Sequence, residues 1–139
     1  MKVKHRYILE HDQNSLKKLC KYIRNLKNRI IVIEGATGSG KSTVIEELVG
    51  YKNNVFTPFS PNPHAGPFIL TASESEYIGM DETENFAIEQ IVEFLATAEK
   101  ESKIALVSSL SLHFFEQAKQ DLFNVDGVTV INIDRVYWA

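Results

Sequence analysis

Along this 139-residue chain the apolar positions change their spacing several times, and each change marks an element. Residues 14–27, NSLKKLCKYIRNLK, set Leu16, Leu19, Cys20, Ile23 and Leu26 at three- and four-residue steps. That is one apolar stripe on a helix with a basic opposite face, and Asn14 or Ser15 is its expected N-cap. RIIVIE is a β-branched run too short for a helix, which predicts a buried strand. Residues 42–49 return to helical spacing and stop at Gly50, the usual C-terminal glycine. NNVFTPF predicts a short strand, SPNPHAGP a loop, and YIGMDE a strand that ends in two acids. Residues 83–101 predict a helix with Ile88, Ile91, Val92, Leu95 and Ala98 on its apolar face. KIALVSS reads as another buried strand, residues 114–123 as a helix, and GVTVINI as a final strand.

After the first helix, strands and helices alternate. The expected fold is therefore a three-layer α/β architecture, an αβα sandwich around a mainly parallel five-stranded sheet preceded by an N-terminal amphipathic helix. Right-handed crossovers place helices on both faces. The length suits one compact domain, divided here into a basic leader and helix at residues 1–28 and a core at 29–139. No run of 18 apolar residues exists to span a membrane, and the start lacks the continuous apolar segment of a signal peptide. Cys20 is the only cysteine, so neither a disulfide framework nor a CxxC zinc site is expected, which fits a reducing cytoplasm.

Charge changes the picture at the N-terminus. Residues 1–29 hold nine Lys and Arg against Glu10 and Asp12, while the rest of the chain holds six against sixteen acids. A basic leader on an acidic body suits nucleic acid or an acidic protein face; the bland alternative is that it packs on the acidic body of its own chain or of a neighbouring copy.

The chemistry concentrates in GATGSGKS, residues 35–42. Only seven glycines occur in the chain, and three of them fall within six positions here. The segment matches G-x-x-x-x-G-K-[ST] at every fixed position, with a strand leading in and a helix leading out. A loop that wraps a polyphosphate must turn its backbone N–H groups inward, and side chains at Gly35, Gly38 and Gly40 would obstruct that. The helix that follows adds its free N–H groups and the positive end of its dipole. The expected phosphate contacts are Gly35, Ala36, Thr37, Gly38, Ser39, Gly40, Lys41, Ser42 and Thr43. Among them Lys41 sits on the β- and γ-phosphates and Ser42 on Mg²⁺.

These residues resemble the P-loop NTPases over residues 30–48. The resemblance implies the P-loop fold with sheet order 5-1-4-3-2, and ATP and Mg²⁺ as ligands. In its branch with an extra strand and a catalytic glutamate, YIGMDE corresponds to the acidic strand. That implies Asp81 on Mg²⁺ through water and Glu82 as the group that orients or deprotonates the nucleophile. The bland alternative has both acids capping the next helix. The same branch implies a polar sensor at the end of KIALVSS, Ser108 or Ser109. Glu34, in VIEGATGSGKST, is similar to a deoxynucleoside kinase glutamate that acts as base at the sugar hydroxyl; it can equally hold the loop backbone.

Residues 77–115 are similar to the core of the zinc-containing thymidine kinases, which implies Glu82 as base and Phe86 or Phe114 beside the nucleoside. Their CxxC zinc pairs and their Asp-x-Arg element have no match here. The glycine loop and acidic strand also look like small motor ATPases of the HerA and FtsK type, and NIDRVY resembles the D-R-Y element of nucleotide kinases. In that element Arg135 caps the sheet or reaches a neighbour's phosphate. A kinase needs a lid to exclude water, and no segment reads as one. The reading is therefore a minimal ATPase, completed by a neighbouring copy in a homo-oligomer. The alternatives are a nucleoside kinase and a non-catalytic nucleotide switch. No N-K-x-D element specifies guanine, which favours ATP. His5, His11, His64 and His113 show no ligand spacing, and Phe56, Phe59, Phe114, Phe115 and Trp138 read as core rather than as a base-stacking platform.

Overall fold

In the computed structural model, residues 3–9, 13–26, 28–36, 40–58 and 68–135 are described, the backbone alone at 3–9, 13, 114, 134 and 135. The first strand, β1 (Val3–Leu9), and helix α1 (Gln13–Asn25) precede β2 (Ile30–Glu34) and α2 (Lys41–Val49). Then come β3 (Val55–Phe56), β4 (Tyr77–Met80), α3 (Ile88–Lys100), β5 (Ile104–Ser109), α4 (Gln117–Leu122) and β6 (Val128–Arg135).

All pairings are parallel, and the sheet order is β1-β6-β2-β5-β4-β3. The α/β class is as expected, but the sheet has six strands rather than five. The added strand is β1, whose Val3–Leu9 run along Thr129–Arg135 of β6. Lys4, His5 and Arg6 interrupt the apolar pattern that marks a buried strand, and so hid this one. Basic residues suit a sheet edge, where they discourage pairing with another chain.

Alternating side chains divide the sheet's apolar residues between two cores. On one face Ile31, Ile33, Leu106 and Ile131 pack against Val44, Ile45, Leu48 and Val49 of α2 and against Leu16, Leu19, Cys20 and Ile23 of α1. On the other, Val32, Ile78, Met80, Val107 and Val130 meet Ile91, Phe94 and Ala98 of α3 and Phe123 beyond α4. The boundary drawn at residue 28 therefore does not separate two units, because α1 shares a core with α2. Its opposite face carries Lys17, Lys18, Lys21 and Arg24 to solvent, as the stripe implied. Burial pushes the Cys20 thiol up to about 11.

Several boundaries shift. Helix α1 begins at Gln13, so Asn14 and Ser15 fall inside its first turn instead of capping it. The helix expected from residue 83 is a short 3₁₀ turn (Thr83–Asn85) followed by α3, whose Gln90 Oε1 accepts the Ala87 N–H at 2.9 Å. Likewise 114–123 resolves into a 3₁₀ turn at Leu112–Phe114 and the short α4. The ammonium of buried Lys119 ties α4 to the carbonyl of Phe86 at 2.7 Å. The proline-rich loop at 60–67, Phe59 and Trp138 lie outside the described residues.

Gly79 sets how closely α2 lies on the sheet. A Cβ built there would stand 2.6 Å from Ile45 Cγ2, which is fully buried and cannot swing aside. Gly79→Ala is expected to destabilise the protein by about 1–3 kcal/mol through overpacking, read as a lower urea midpoint with an unchanged slope.

Candidate functional site

The described ends of β2, β4 and β5 meet the start of α2 at the carboxyl edge of the sheet, where ligands of open α/β sheets bind. The chain leaves β2 at Gly35, whose N–H donates to the Ser109 carbonyl at 3.1 Å, one last ladder bond before the loop. It enters α2 through Gly40, whose φ of 100° favours glycine. The Val44 N–H then closes the first helical bond onto the Gly40 carbonyl at 3.1 Å. The N–H groups of the first turn have no intrahelical acceptor, which makes this end attractive to anions. Thr37, Gly38 and Ser39 lie outside the described residues; Ala36 and Thr43 are exposed.

Lys41 curls back over the loop, donating to the carbonyls of Gly35 and Ala36, the latter at 3.2 Å. Burial pulls its ammonium below the ordinary lysine value, while the carboxylates of Glu84, Asp81 and Glu82 pull the other way. Ser42 Oγ donates to Asp81 Oδ2 at 2.6 Å. Ser108 Oγ donates to Asp81 Oδ1 and accepts the Glu82 N–H at 3.0 Å. One carboxylate thus joins the first turn of α2, the end of β4 and the end of β5. Asp81 is 9% exposed, and its own N–H continues the β3–β4 ladder to the Phe56 carbonyl at 2.9 Å.

Beyond Asp81 the backbone turns sharply. Glu82 has φ 56° and ψ 50°, left-handed angles uncommon for a residue with a side chain and often found at functional turns. The following 3₁₀ turn delivers Glu84, which sequence reasoning missed because its position fits no motif. Glu84 Oε2 is buried, with no hydrogen-bond partner among the described residues. Burial pushes its carboxyl above the ordinary range, and Glu82 pushes it further. Its own N–H, Lys41 and the Leu110 N–H oppose that shift. The signal available in the sequence was a third acid within four residues of the strand end, in TEN of MDETEN.

Of the expected catalytic residues, the structure brings Lys41 and Glu82 together around Asp81 and sets Glu34 apart. Glu34 follows Val32 in strand alternation and faces the α3 and α4 side, away from Ser42. It is 3% exposed and accepts from the Leu112 N–H and from Asn132 Nδ2, both at 3.3 Å. Of the two serines that end β5, Ser108 bonds to Asp81, and strand alternation turns Ser109 to the other face. Phe86 is buried core, and the Phe114 and Arg135 side chains lie outside the described residues.

Chemically, the site pairs an anion-attracting helix start and one ammonium with an oxygen cluster, Ser42 and Asp81, suited to a hard cation. Among the described residues no group of three or more His, Cys, Asp or Glu could hold a metal by protein ligands alone, and no helix is long and apolar enough to cross a membrane. No family model, no curated protein and no solved structure matches the chain.

Proposed function

We propose that the protein is a small Mg²⁺-dependent P-loop ATPase. The observation that carries this reading is the shared carboxylate of Asp81, held by Ser42 from the helix after the glycine loop and by Ser108 from the strand inserted between β2 and β4. The strand order supports it too. Counted from β2, the five strands run 2-3-4-1-5 from the β3 edge, which is 5-1-4-3-2 from the other side.

In this reading the turn from Gly35 to Thr43 cradles the triphosphate of ATP, and Lys41 leaves its loop carbonyls for the β- and γ-phosphates. Ser42 Oγ and Asp81 form an oxygen-only set that suits Mg²⁺, a hard ion that keeps several waters and takes one or two carboxylates. Bound there, it would neutralise charge on the phosphates. A carboxylate of the Glu82–Glu84 turn takes a proton from the attacking water as the bond from the γ-phosphorus to the ADP oxygen breaks. Glu84 is the better placed of the two for this role, because its Oε2 is buried with no hydrogen-bond partner among the described residues. The basic face of α1 supplies contact to nucleic acid or an acidic protein surface, and a second copy completes the site; the setting is cytoplasmic.

A nucleoside kinase is the second reading, favoured by the buried carboxylate of Glu34 at the sheet edge. Product analysis separates the two. With γ-labelled ATP, Mg²⁺ and a mixed pool of nucleosides and nucleic acids, the label is expected as inorganic phosphate, released faster when nucleic acid is present. Label on a sugar hydroxyl would establish the kinase; tight nucleotide binding with no label transferred would leave a switch.

A further inference from the structure

Lys119 is a buried lysine that has no part in the chemistry at Asp81. It stands in α4, and its ammonium donates to the Phe86 carbonyl at 2.7 Å. An ammonium taken out of water is costly unless its partners compensate. Among the described residues no carboxylate bonds to it, so the carbonyl carries that compensation. Such a bond is charge-assisted, short and strong.

Phe86 ends the turn that bears the acids. Its side chain is core, and its extended backbone joins the 3₁₀ turn Thr83–Asn85 to α3. The turn is fixed first at its start. The Asp81 N–H reaches the Phe56 carbonyl at 2.9 Å, the Glu82 N–H reaches Ser108 Oγ at 3.0 Å, and Thr83 Oγ1 donates to the Met80 carbonyl at 3.2 Å. Within it, the N–H groups of Asn85 and Phe86 close onto the carbonyls of Glu82 and Thr83 at 2.9 and 3.1 Å. At the far end the Phe86 carbonyl serves neither the turn nor α3, whose first bonds run to Ala87. A buried carbonyl needs a donor, and Lys119 is the group that meets it. The left-handed backbone of Glu82 persists only where its surroundings over-determine it. Ser108 is the anchor on one side of Glu84 and Lys119 the anchor on the other.

We propose that Lys119 is a positioning residue: from α4 it fixes the far end of the acidic turn and so holds the Glu84 carboxylate where it takes the proton from the attacking water. This rests on the ATPase reading. The contact of Lys119 is with the turn and not with Lys41, Ser42 or Asp81, so ATP affinity does not depend on it.

Lys119→Met keeps an unbranched stem and removes the donor. In the full chain its kcat for ATP hydrolysis is expected to fall by about ten- to a hundredfold, because a misplacement of about 1 Å costs up to about 10²-fold, with Kd for ATP unchanged. Lys119→Arg, which keeps a charged donor, is expected to recover most of kcat. A lysine with a structural role alone would instead lower the urea midpoint and leave the kcat of the folded protein as it was. In the nucleotide-free protein, amide exchange at Asn85 and Phe86 is expected to quicken in Lys119→Met while β2 and β5 keep their protection. If the Met variant does not fold, Lys119→Gln, polar but shorter, takes its place with the same expectations. Wild-type turnover with unchanged kcat in these variants, or unchanged exchange at the turn, would overturn the positioning role alone. No turnover by the wild-type protein would overturn the ATPase reading instead, and the exchange comparison then decides whether Lys119 holds the turn.

Discussion

Lys41→Ala is expected to abolish detectable binding of ATP while leaving the protein folded. The side chain is half-buried, and its ammonium bonds only to carbonyls of its own loop among the described residues, so its loss removes no core contact. It is the one cation that the described site turns toward the helix start, and a phosphate there would lose a charge-assisted hydrogen bond worth about 1.5–3 kcal/mol at each oxygen it serves. Titration with a fluorescent ATP analogue, beside a thermal melt of the free protein, checks both halves. Wild-type affinity in the variant would show that the loop holds no phosphate through Lys41.

The second large effect concerns the acids after β4. Glu84→Gln is expected to lower kcat for ATP hydrolysis by about 10²–10⁴, the range of general base catalysis, with the dissociation constant for ATP little changed. Glu82→Gln should cost less, because the backbone of Glu82 rather than its carboxylate makes the contact to Ser108. A larger loss at Glu82 would return the base to the residue that the motif implies. Glu84 also gives the free protein a pH signature. Burial raises its folded pKa above the unfolded value of 4.5, so the folded state binds the proton more tightly. The stabilisation is full below that unfolded value and is lost as pH rises through the folded one. Glu84→Gln should remove this fall in stability from urea midpoints measured across the weakly acidic range.

Much of this fold could be read in the sequence because its inner strands are unbroken apolar runs. Ile30–Glu34 and Ile104–Ser109 are buried almost throughout, the pattern of strands covered on both faces. The stripe of α1 was equally plain, and its four buried residues were all in it. What escaped was written in polar residues. Strand β1 carries three basic or imidazole side chains in seven positions, so periodicity says nothing of it, and only pairing with β6 reveals it. Periodicity reads the 3₁₀ turns as helix because both share residues spaced by three, and only the hydrogen bonds separate them. In the site, Lys41, Ser42 and Asp81 were legible from spacing and strand ends. Which of Ser108 and Ser109 faces Asp81 was not, since alternation assigns faces only after the register is known. Glu84 and the separation of Glu34 likewise depend on where the chain turns.

The position of β6 bears on how the molecule is made. It lies between β1 and β2, and Val3 pairs with Thr129, 126 positions further along. Until that late segment is synthesised, the early strand has no neighbour in the sheet, and one flank of β2 stays open. Completion of that side therefore waits until residues 128–135 have been synthesised and closes a very long loop, the slow kind of step in assembly. A nascent chain stalled before residue 128 would expose two unsatisfied strand edges, a natural substrate for chaperones.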